Sequence, residues 1–395
     1  MGRTEKNILF LILLITLVTR LYYVYTSPPL TLTHDEVGYH RMTLQLLDER
    51  IMGYYSHTPR AFVTPGYPLF LALAYFTGRL LHIEPMLAGR TFQVIISVFS
   101  VLFVYLIARK AGGPRAGMIG AILAAVLAAV YQPSFMANNR ILTEVLYTFL
   151  LLVYVYSSII AFEKTGLRWH ALSGAILGLA VLVRPTAAPF LIVPYGVRFV
   201  MTRDRRELSG LIVAAAAFCL VMSPWWVRNY LVFDKFIMFS TESGNPFLRG
   251  TDPYDIYDHK GPSIVKNVPD AEMTKVALSR IREGLRTDPW LWIKWFTVGK
   301  LSFLWLKPWG IYSFWARLLH LWVFVILGWM GILAGLFDEK MRWPALFVVF
   351  STLIQMAFIP IERYMYPLTP IMAIMAATLT VKIIQKILDT ASLNR

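Results

Sequence analysis

The chain is poor in two features that many proteins depend on, cysteine and charge. Its 395 residues include one cysteine, Cys219, and only 15% charged side chains. One thiol cannot form an intrachain disulfide, so a disulfide-stabilised scaffold is excluded. The charged fraction is well below the roughly 25% of an ordinary soluble domain. The sequence also lacks an internal repeat, which disfavours a transporter built from duplicated halves.

The chain is instead rich in long runs of apolar residues. Hydrophobic residues make up 57% of the chain, and several runs reach the roughly 18–20 residues that cross a bilayer. We therefore expect an all-α, polytopic membrane protein with about ten transmembrane helices. The first run is too long for a usual signal-peptide core and lacks a small-x-small cleavage site, so it is interpreted as an uncleaved span. The expected spans are 7–25, 86–108, 116–135, 141–162, 171–183, 185–200, 208–230, 314–337, 344–360 and 364–384.

The charges that are present are mostly basic, with 38 Lys and Arg against 23 Asp and Glu. In a soluble protein this excess would suggest nucleic acid, but here it indicates cytoplasmic loops and contact with anionic lipid headgroups, so no nucleic-acid partner is expected. If all the basic short loops face the cytoplasm, both termini do as well. These loops are 109–115, 164–168, 198–206 and 340–342, with Lys382 and Lys386 after the last span.

This orientation divides the chain into three parts. Residues 1–230 form a transmembrane catalytic module that includes an outer acidic loop, 26–85. Residues 231–312 form a second outer loop, and 313–395 form the C-terminal spans. Apolar stretches at 67–81 and 289–305 lie within the outer loops, and the second mixes tryptophan with lysine. We expect both to be helices on the outer membrane surface. The alternative is that they are ordinary spans, which would reverse the loops between them.

Two adjacent carboxylates, Asp35 and Glu36, follow His34 shortly after the first span. They begin a predicted amphipathic helix, where the helix dipole and free N–H groups favour anions. A helix cap with a charged neighbour would explain them. The alternative is a general base at the membrane surface, able to take a proton from an acceptor hydroxyl.

Glu144 lies about one turn into the fourth apolar run, on the same expected side as Asp35. Arg140 is four residues earlier, so a local ion pair on one helix face is the simple reading. Ionisable groups at such positions are costly, however, and usually face an internal cavity with a function.

Three arginines, Arg184, Arg228 and Arg363, are also expected on the outer side. Each alone is typical of an arginine that extends its charged head to the membrane interface. Together, near two carboxylates, they would form a site for an anionic lipid headgroup, because arginine binds phosphate in a bidentate geometry.

These motifs, in their order along the chain, resemble those of the GT-C superfamily of integral membrane glycosyltransferases. The most similar branch is the bacterial one related to the protein O-mannosyltransferases and the lipid A aminoarabinose transferase. The motifs are Asp35-Glu36, Pro-Gly-Tyr-Pro at 65–68, Arg140-x-x-x-Glu144, Arg-Pro-Thr at 184–186, Pro-Trp-Trp-x-Arg-Asn-Tyr at 224–230, Ser-Thr-Glu-Ser-Gly-Asn-Pro-Phe at 240–247 and Glu-Arg-Tyr-x-x-Pro at 362–367.

The resemblance implies transfer of a sugar from a polyprenyl-phosphate donor to a protein, lipid or glycan hydroxyl on the outer face of a bacterial plasma membrane, with inversion. It assigns Asp35 as the base, with Glu36 beside it, and Glu144 as a second acid paired with Arg140. Arg363 would meet the lipid phosphate, and Arg228 is a weaker candidate for that role. Further residues in or beside the motifs are expected to support the site: His34, Tyr67 and Tyr364.

The sequence departs from the family pattern at one position. Members of the aminoarabinose branch carry a lysine before the Pro-rich start of the second surface helix, but Thr64 stands there, and Arg60 is the nearest basic candidate for phosphate. No large domain follows the last span, so we expect no close kinship with oligosaccharyltransferases.

The residue types leave other chemistry open. His34, Asp35, Glu36 and His40 could ligate a metal, but their spacing fits no strong motif and the mannosyltransferase branch is metal-independent, so no cofactor is expected. The alternative functions are a transporter or flippase of a lipid-linked sugar, and an enzyme of the O-antigen ligase or polymerase type.

Overall fold

A computed structural model describes residues 2–28, 31–110, 114–164, 166–241, 244–255, 263–310 and 312–393. Within these ranges every regular element is helical and no strand occurs, which confirms the predicted all-α fold. Two residues of the second outer motif, Glu242 and Ser243, lie outside the described residues.

The first two thirds of the chain contain ten numbered helices. They are α1 Arg3–Thr26, α2 Asp35–Asp48, α3 Gly66–Leu80, α4 Pro85–Arg109, α5 Pro114–Val130, α6 Gln132–Asn139, α7 Glu144–Glu163, α8 Leu167–Val183, α9 Val193–Thr202 and α10 Arg206–Phe233.

Further helices, most of them shorter, follow in the second outer loop and the C-terminal part. They are α11 Gly244–Arg249, α12 Met273–Thr287, α13 Pro289–Lys294, α14 Lys300–Trp305, α15 Phe314–Leu319, α16 Gly328–Leu336, α17 Arg342–Gln355 and α18 Thr369–Leu393. Two π-helical segments, Trp295–Gly299 and His320–Leu327, join α13 to α14 and α15 to α16. The 3₁₀ turns are Pro185–Leu191, Pro253–Asp255, Glu362–Tyr364 and Tyr366–Leu368.

Six helices are long and apolar enough to span a membrane: 3–26, 85–109, 144–163, 206–233, 314–336 and 362–392. The bent pair 117–130 and 132–139 would make a seventh, and α8 is a shorter apolar helix. The chain is thus an integral membrane protein. All ten expected spans fall on helical segments, but the count of ten stays a prediction. The stretches at 67–81 and 289–305 also fall on helical segments, both shorter than the roughly 20 residues of a usual span.

Prolines explain where the expected spans differ from the observed helices. The expected span 116–135 bends by 51° between α5 and α6. Pro133 cannot donate to the carbonyl of Ala129, since proline has no N–H. Arg20, which is 2% exposed, supplies the missing donor, with Nη2 at 3.0 Å from Ala128 O and 3.4 Å from Ala129 O. The expected span 185–200 is a proline-rich 3₁₀ turn followed by α9.

Close backbone contacts join the helices that carry the site. A Cβ on Gly174 of α8 would lie 2.1 Å from Ala214 O of α10, and one on Gly66 would lie 2.6 Å from Leu182 O. Small residues at such points let membrane helices approach closely. The start of α3 therefore contacts the end of α8, directly before Arg184.

Ion pairs join the helices at the opposite end of the bundle. Glu5 at the start of α1 pairs with Arg109 at the end of α4 at 2.8 Å, so these helices are antiparallel. Lys110 also pairs with Glu163 at the end of α7. The segments after α1, before α7 and after α8 consequently lie together at the other end.

Candidate active site

The site is assembled from the ends of four helical elements. Asp35 and Glu36 occupy the first turn of α2, and Glu144 is the first residue of α7. Arg184 directly follows α8, and Arg363 lies in the 3₁₀ turn before α18. Helix ends leave backbone groups free and side chains close to the bundle surface, so this arrangement brings charged groups to one end of an otherwise apolar bundle.

Glu36 is buried and all of its partners belong to the protein. Its Oε2 accepts hydrogen bonds from Arg140 Nη1 at 2.7 Å, Thr33 Oγ1 at 3.1 Å and Thr33 N at 3.2 Å. Its Oε1 accepts from Ile141 N at 3.2 Å. The side chain, 2% exposed, thus ties the outer loop to the segment between α6 and α7.

This geometry corrects the expected pairing of Arg140 with Glu144. Arg140 forms its ion pair with Glu36, 104 residues away in sequence, whereas Glu144 pairs with Arg184 and Arg363. The reason is geometric: Arg140 precedes α7 in an extended conformation, so it does not share a helix face with Glu144.

Arg363 lies between the other two carboxylates. Its Nη2 is 2.5 Å from Asp35 Oδ2, and its Nε is 3.9 Å from Glu144 Oε1. The Asp35 side chain is 34% exposed, whereas that of Glu144 is 1% exposed. Asp35 is therefore the carboxylate of this cluster that a molecule from outside can reach. We call Asp35, Glu144, Arg184 and Arg363 the charged cluster.

Arg184 completes the charged cluster; the sequence placed it with Arg228 and Arg363 in a site for an anionic headgroup but did not predict that its partner is Glu144. Its Nη2 is 2.5 Å from Glu144 Oε1, and its Nε donates to Thr143 Oγ1 at 2.6 Å. The proline directly after it was the available signal, because a proline disfavours the helical conformation of the preceding residue, so α8 ends at this arginine. Two carboxylates and two guanidinium groups make the cluster formally neutral.

The two carboxylate oxygens of Glu144 differ in their contacts. Its Oε2 is buried and has no hydrogen-bond partner among the described residues. Two arginines near Oε1 compensate its charge, which a carboxylate buried at this depth requires. Glu144 consequently orients the two arginines and is shielded from any acceptor.

The expected supporting tyrosines both lie beside the cluster. Tyr364 faces two guanidinium groups, with its ring centroid 5.4 Å from Arg184 Cζ and 5.3 Å from Arg363 Cζ. Tyr67 is fully buried and donates to Gln93 Oε1 at 3.1 Å. Gln93 Nε2 in turn donates to Arg140 O at 2.8 Å. Tyr67 thus supports the segment that carries Arg140.

The other two candidate phosphate ligands, Arg60 and Arg228, lie together. Arg228 Nη1 donates to Arg60 O at 3.2 Å and to Asn229 Oδ1 at 2.9 Å. Among the described residues, neither Arg60 nor Arg228 forms an ion pair with a carboxylate of the site. Thr64 is buried and donates to Val183 O at 3.2 Å. It therefore closes the α3–α8 contact and is not available to a ligand.

The possible metal ligands do not converge. His34 is exposed, and Glu36 is occupied by Arg140. His40 Nδ1 lies 2.9 Å from the Tyr75 hydroxyl. Across the described ranges, no group of three His, Cys, Asp or Glu side chains could hold a metal ion.

A cavity of about 30 Å³ adjoins the cluster on the side of Arg184. It lies between the ends of α7, α8, α17 and α18, and it has room for about two water-sized groups. Polar and aromatic side chains line it, among them Tyr147, Arg184, Thr186, Ser351, Gln355 and Tyr364.

A family model described as dolichyl-phosphate-mannose-protein mannosyltransferase matches residues 64–227. This range runs from the start of α3 to α10 and includes Glu144 and Arg184. No curated protein sequence matches the chain significantly.

Solved structures share the fold at low sequence identity. The Archaeoglobus fulgidus oligosaccharyltransferase in its apo form matches with a TM-score of 0.62 and 16% identity, over 99% of this chain and 52% of that one. The same organism's oligosaccharyltransferase AglB, in complex with an inhibitory peptide and a dolichol-phosphate, gives 0.60 and 17%, over 99% and 51%. ArnT from Cupriavidus metallidurans bound to undecaprenyl phosphate is a weaker match, with a TM-score of 0.48 and 14% identity over 94% and 77%, and does not by itself show a shared fold.

The chain therefore has the predicted GT-C fold, and the resemblance inferred from its motifs is confirmed. It spans about half the length of the archaeal oligosaccharyltransferases it matches.

Glu36 is buried and paired, whereas Asp35 is partly exposed, so substitutions of these two acids should differ in their effect on thermal stability. Glu36→Gln removes the charge that Arg140 and two backbone N–H groups satisfy, and breaking a buried ion pair costs about 3 kcal/mol. We expect a clear fall in the midpoint of thermal unfolding in detergent. Asp35→Asn, at a partly exposed position, should leave the midpoint within about 2 °C of the parent. An equal loss in both variants would contradict the anchoring role of Glu36.

Proposed function

We propose that this protein is a glycosyltransferase. It moves a sugar from a polyprenyl-phosphate donor to a hydroxyl of a protein, lipid or glycan acceptor, with inversion at the anomeric carbon. The observation that carries the proposal is the contact between an accessible carboxylate, Asp35, and an arginine, Arg363, at 2.5 Å. Together they supply the base and the positive charge that the reaction needs.

The comparisons support a lipid-phosphate donor. The matching family model describes an enzyme of dolichyl-phosphate-mannose, and one structure with this fold holds a dolichol-phosphate. The archaeal protein is about twice as long as this chain, so the inhibitory peptide in that complex says nothing about the acceptor of this one.

In the proposed reaction, Asp35 takes the proton of the acceptor hydroxyl as the acceptor oxygen bonds to the anomeric carbon. The bond between that carbon and the phosphate oxygen breaks, and the electron pair leaves with the lipid phosphate. Arg363 stabilises the negative charge that develops on the departing phosphate, since a preorganised cation acts most strongly where charge develops. Inversion follows from a single displacement with the acceptor opposite the leaving group.

The same contact suggests an order of binding. Without ligand, Asp35 Oδ2 accepts a hydrogen bond from Arg363 Nη2, which lowers its readiness to accept a proton. A donor phosphate competes for the same guanidinium, because arginine binds phosphate oxygens in the geometry it uses for carboxylates. Donor binding would thus release Asp35 to act on the acceptor. Glu144 and Arg184 hold Arg363 in place during this exchange.

The location of the site supports an outer-facing enzyme of a bacterial plasma membrane, with both termini in the cytoplasm. The basic short loops follow α4, α7 and α9, at the end of the bundle opposite to the charged cluster. By the positive-inside rule that end is cytoplasmic. All charges of the cluster are at one end rather than at mid-depth, an arrangement that favours an enzyme over a transporter.

Asp35→Asn tests the proposed base. Purified protein is incubated with a panel of polyprenyl-phosphate sugars and candidate acceptors, and release of the lipid phosphate is measured. General-base catalysis contributes about 10²–10⁴ in rate, so transfer should fall by at least about 100-fold. The matched control is Asp48→Asn on the same helix, which removes an exposed ion pair with Arg79 and should transfer normally. Undiminished transfer by Asp35→Asn would remove Asp35 from the role of base.

The orientation is tested with single cysteines. In a Cys219→Ser background, His57→Cys places a thiol on the exposed outer loop and Asp204→Cys places one between α9 and α10. A membrane-impermeant maleimide added to intact cells should label His57→Cys and spare Asp204→Cys until the membrane is opened. The reverse pattern would contradict the outer location of the site.

A further inference from the structure

One ionisable group outside the charged cluster is buried without a carboxylate partner. Lys300, the first residue of α14, has no exposed surface. Its Nζ donates to Met356 O at 2.8 Å and to Phe358 O at 3.0 Å, and it lies 4.1 Å from the centroid of the Phe296 ring. No ion pair joins it to an acid in the part of the chain that the structure describes. Lysine is almost never fully buried unless it is paired, so its position calls for an explanation.

The two carbonyls that Lys300 binds belong to the connection between α17 and Arg363. Helix α17 ends at Gln355, and its last carbonyls accept from the backbone N–H groups of 356–358. The two carbonyls that Lys300 binds therefore lie just beyond the helix end, in the turn that leads away from it. Four residues separate Phe358 from Arg363, so a fixed carbonyl at 358 limits where the arginine can lie.

The second outer loop holds the same connection from another direction. Ile359 N donates to Pro246 O at 2.9 Å. A Cβ on Gly250 would lie 2.6 Å from Phe358 C, so only glycine permits this approach. The segment 356–361 is therefore clamped between Lys300 and the loop that contains α11.

We propose that Lys300 is a positioning residue: it fixes segment 356–361 so that Arg363 lies between Asp35 and Glu144, where it can receive the donor phosphate. The claim that Arg363 receives the donor phosphate rests on the proposed function. The claim that Lys300 fixes the position of Arg363 rests on the contacts alone.

The hydrogen bonds, rather than the packing, are what the lysine contributes. A methionine has a similar length and would fill the space without the cost of burying an amine. Burial lowers the pKa of Lys300 to about 7. A neutral amine still has two N–H donors, so both carbonyls remain bound on either side of that pH.

The test compares Lys300→Met with Lys294→Met, which removes an exposed lysine on the adjoining helix α13. We expect Lys300→Met to raise the KM for the polyprenyl-phosphate donor about tenfold, because each of the two lost hydrogen bonds is worth about 0.5–1.5 kcal/mol and each 1.4 kcal/mol is tenfold. The KM for the acceptor should not change. Lys300→Arg, which keeps the charge and the donors, should restore most of the donor affinity.

Hydrogen exchange gives a readout that needs no activity. Amides of 356–364 should exchange faster in Lys300→Met and at the parent rate in Lys294→Met. If Lys300→Met does not fold, Lys300→Gln, which can still donate, replaces it with a smaller expected rise in donor KM. Faster exchange with an unchanged donor KM, or faster exchange throughout the protein, would overturn the positioning role.

The glycosyltransferase function and the positioning role of Lys300 can be refuted independently. If the parent protein binds and consumes no polyprenyl-phosphate sugar, the proposed function is wrong. Exchange confined to 356–364 would then still support the placement of Arg363 by Lys300, and unchanged exchange there would contradict it.

Discussion

The site depends on one guanidinium group, that of Arg363, held between Asp35 and Glu144. A carboxylate buried as deeply as Glu144 is stable only beside positive charge, and Arg184 and Arg363 supply it. The contact of Arg363 with Asp35 joins segments that are 328 residues apart, the outer loop after α1 and the turn before α18. The ion pairs that hold the proposed catalytic groups therefore also join distant segments of the chain. A substitution of Arg363 would affect both catalysis and stability.

Two adjacent acids have different roles because successive residues at a helix start point in different directions. Glu36 points into the protein and is satisfied by Arg140 and Ile141 N. Asp35 points toward the bundle end and keeps a third of its side chain exposed. One acid thus fixes the outer loop, which leaves its neighbour well placed for a substrate. In the proposed reaction, that division places the base beside the group that binds the leaving phosphate.

The sequence predicted the helices well, since long apolar runs leave the backbone no other way to satisfy its hydrogen bonds in a membrane. It also predicted that Asp35, Glu144 and Arg363 share one end of the bundle, because orientation alternates from span to span. It could not predict the partner of Arg140, since local spacing favoured Glu144 and the true partner is 104 residues away. Nor could it reveal how Lys300 connects to Arg363, because that link passes through backbone carbonyls.

A structure determined with a polyprenyl phosphate bound would test most directly whether Arg363 binds the donor phosphate and releases Asp35. We expect phosphate oxygens within hydrogen-bond distance of the Arg363 guanidinium, with the Asp35 carboxylate moved off that group and facing the space where an acceptor would lie. A phosphate bound elsewhere, with the contact between Asp35 and Arg363 intact, would contradict the account.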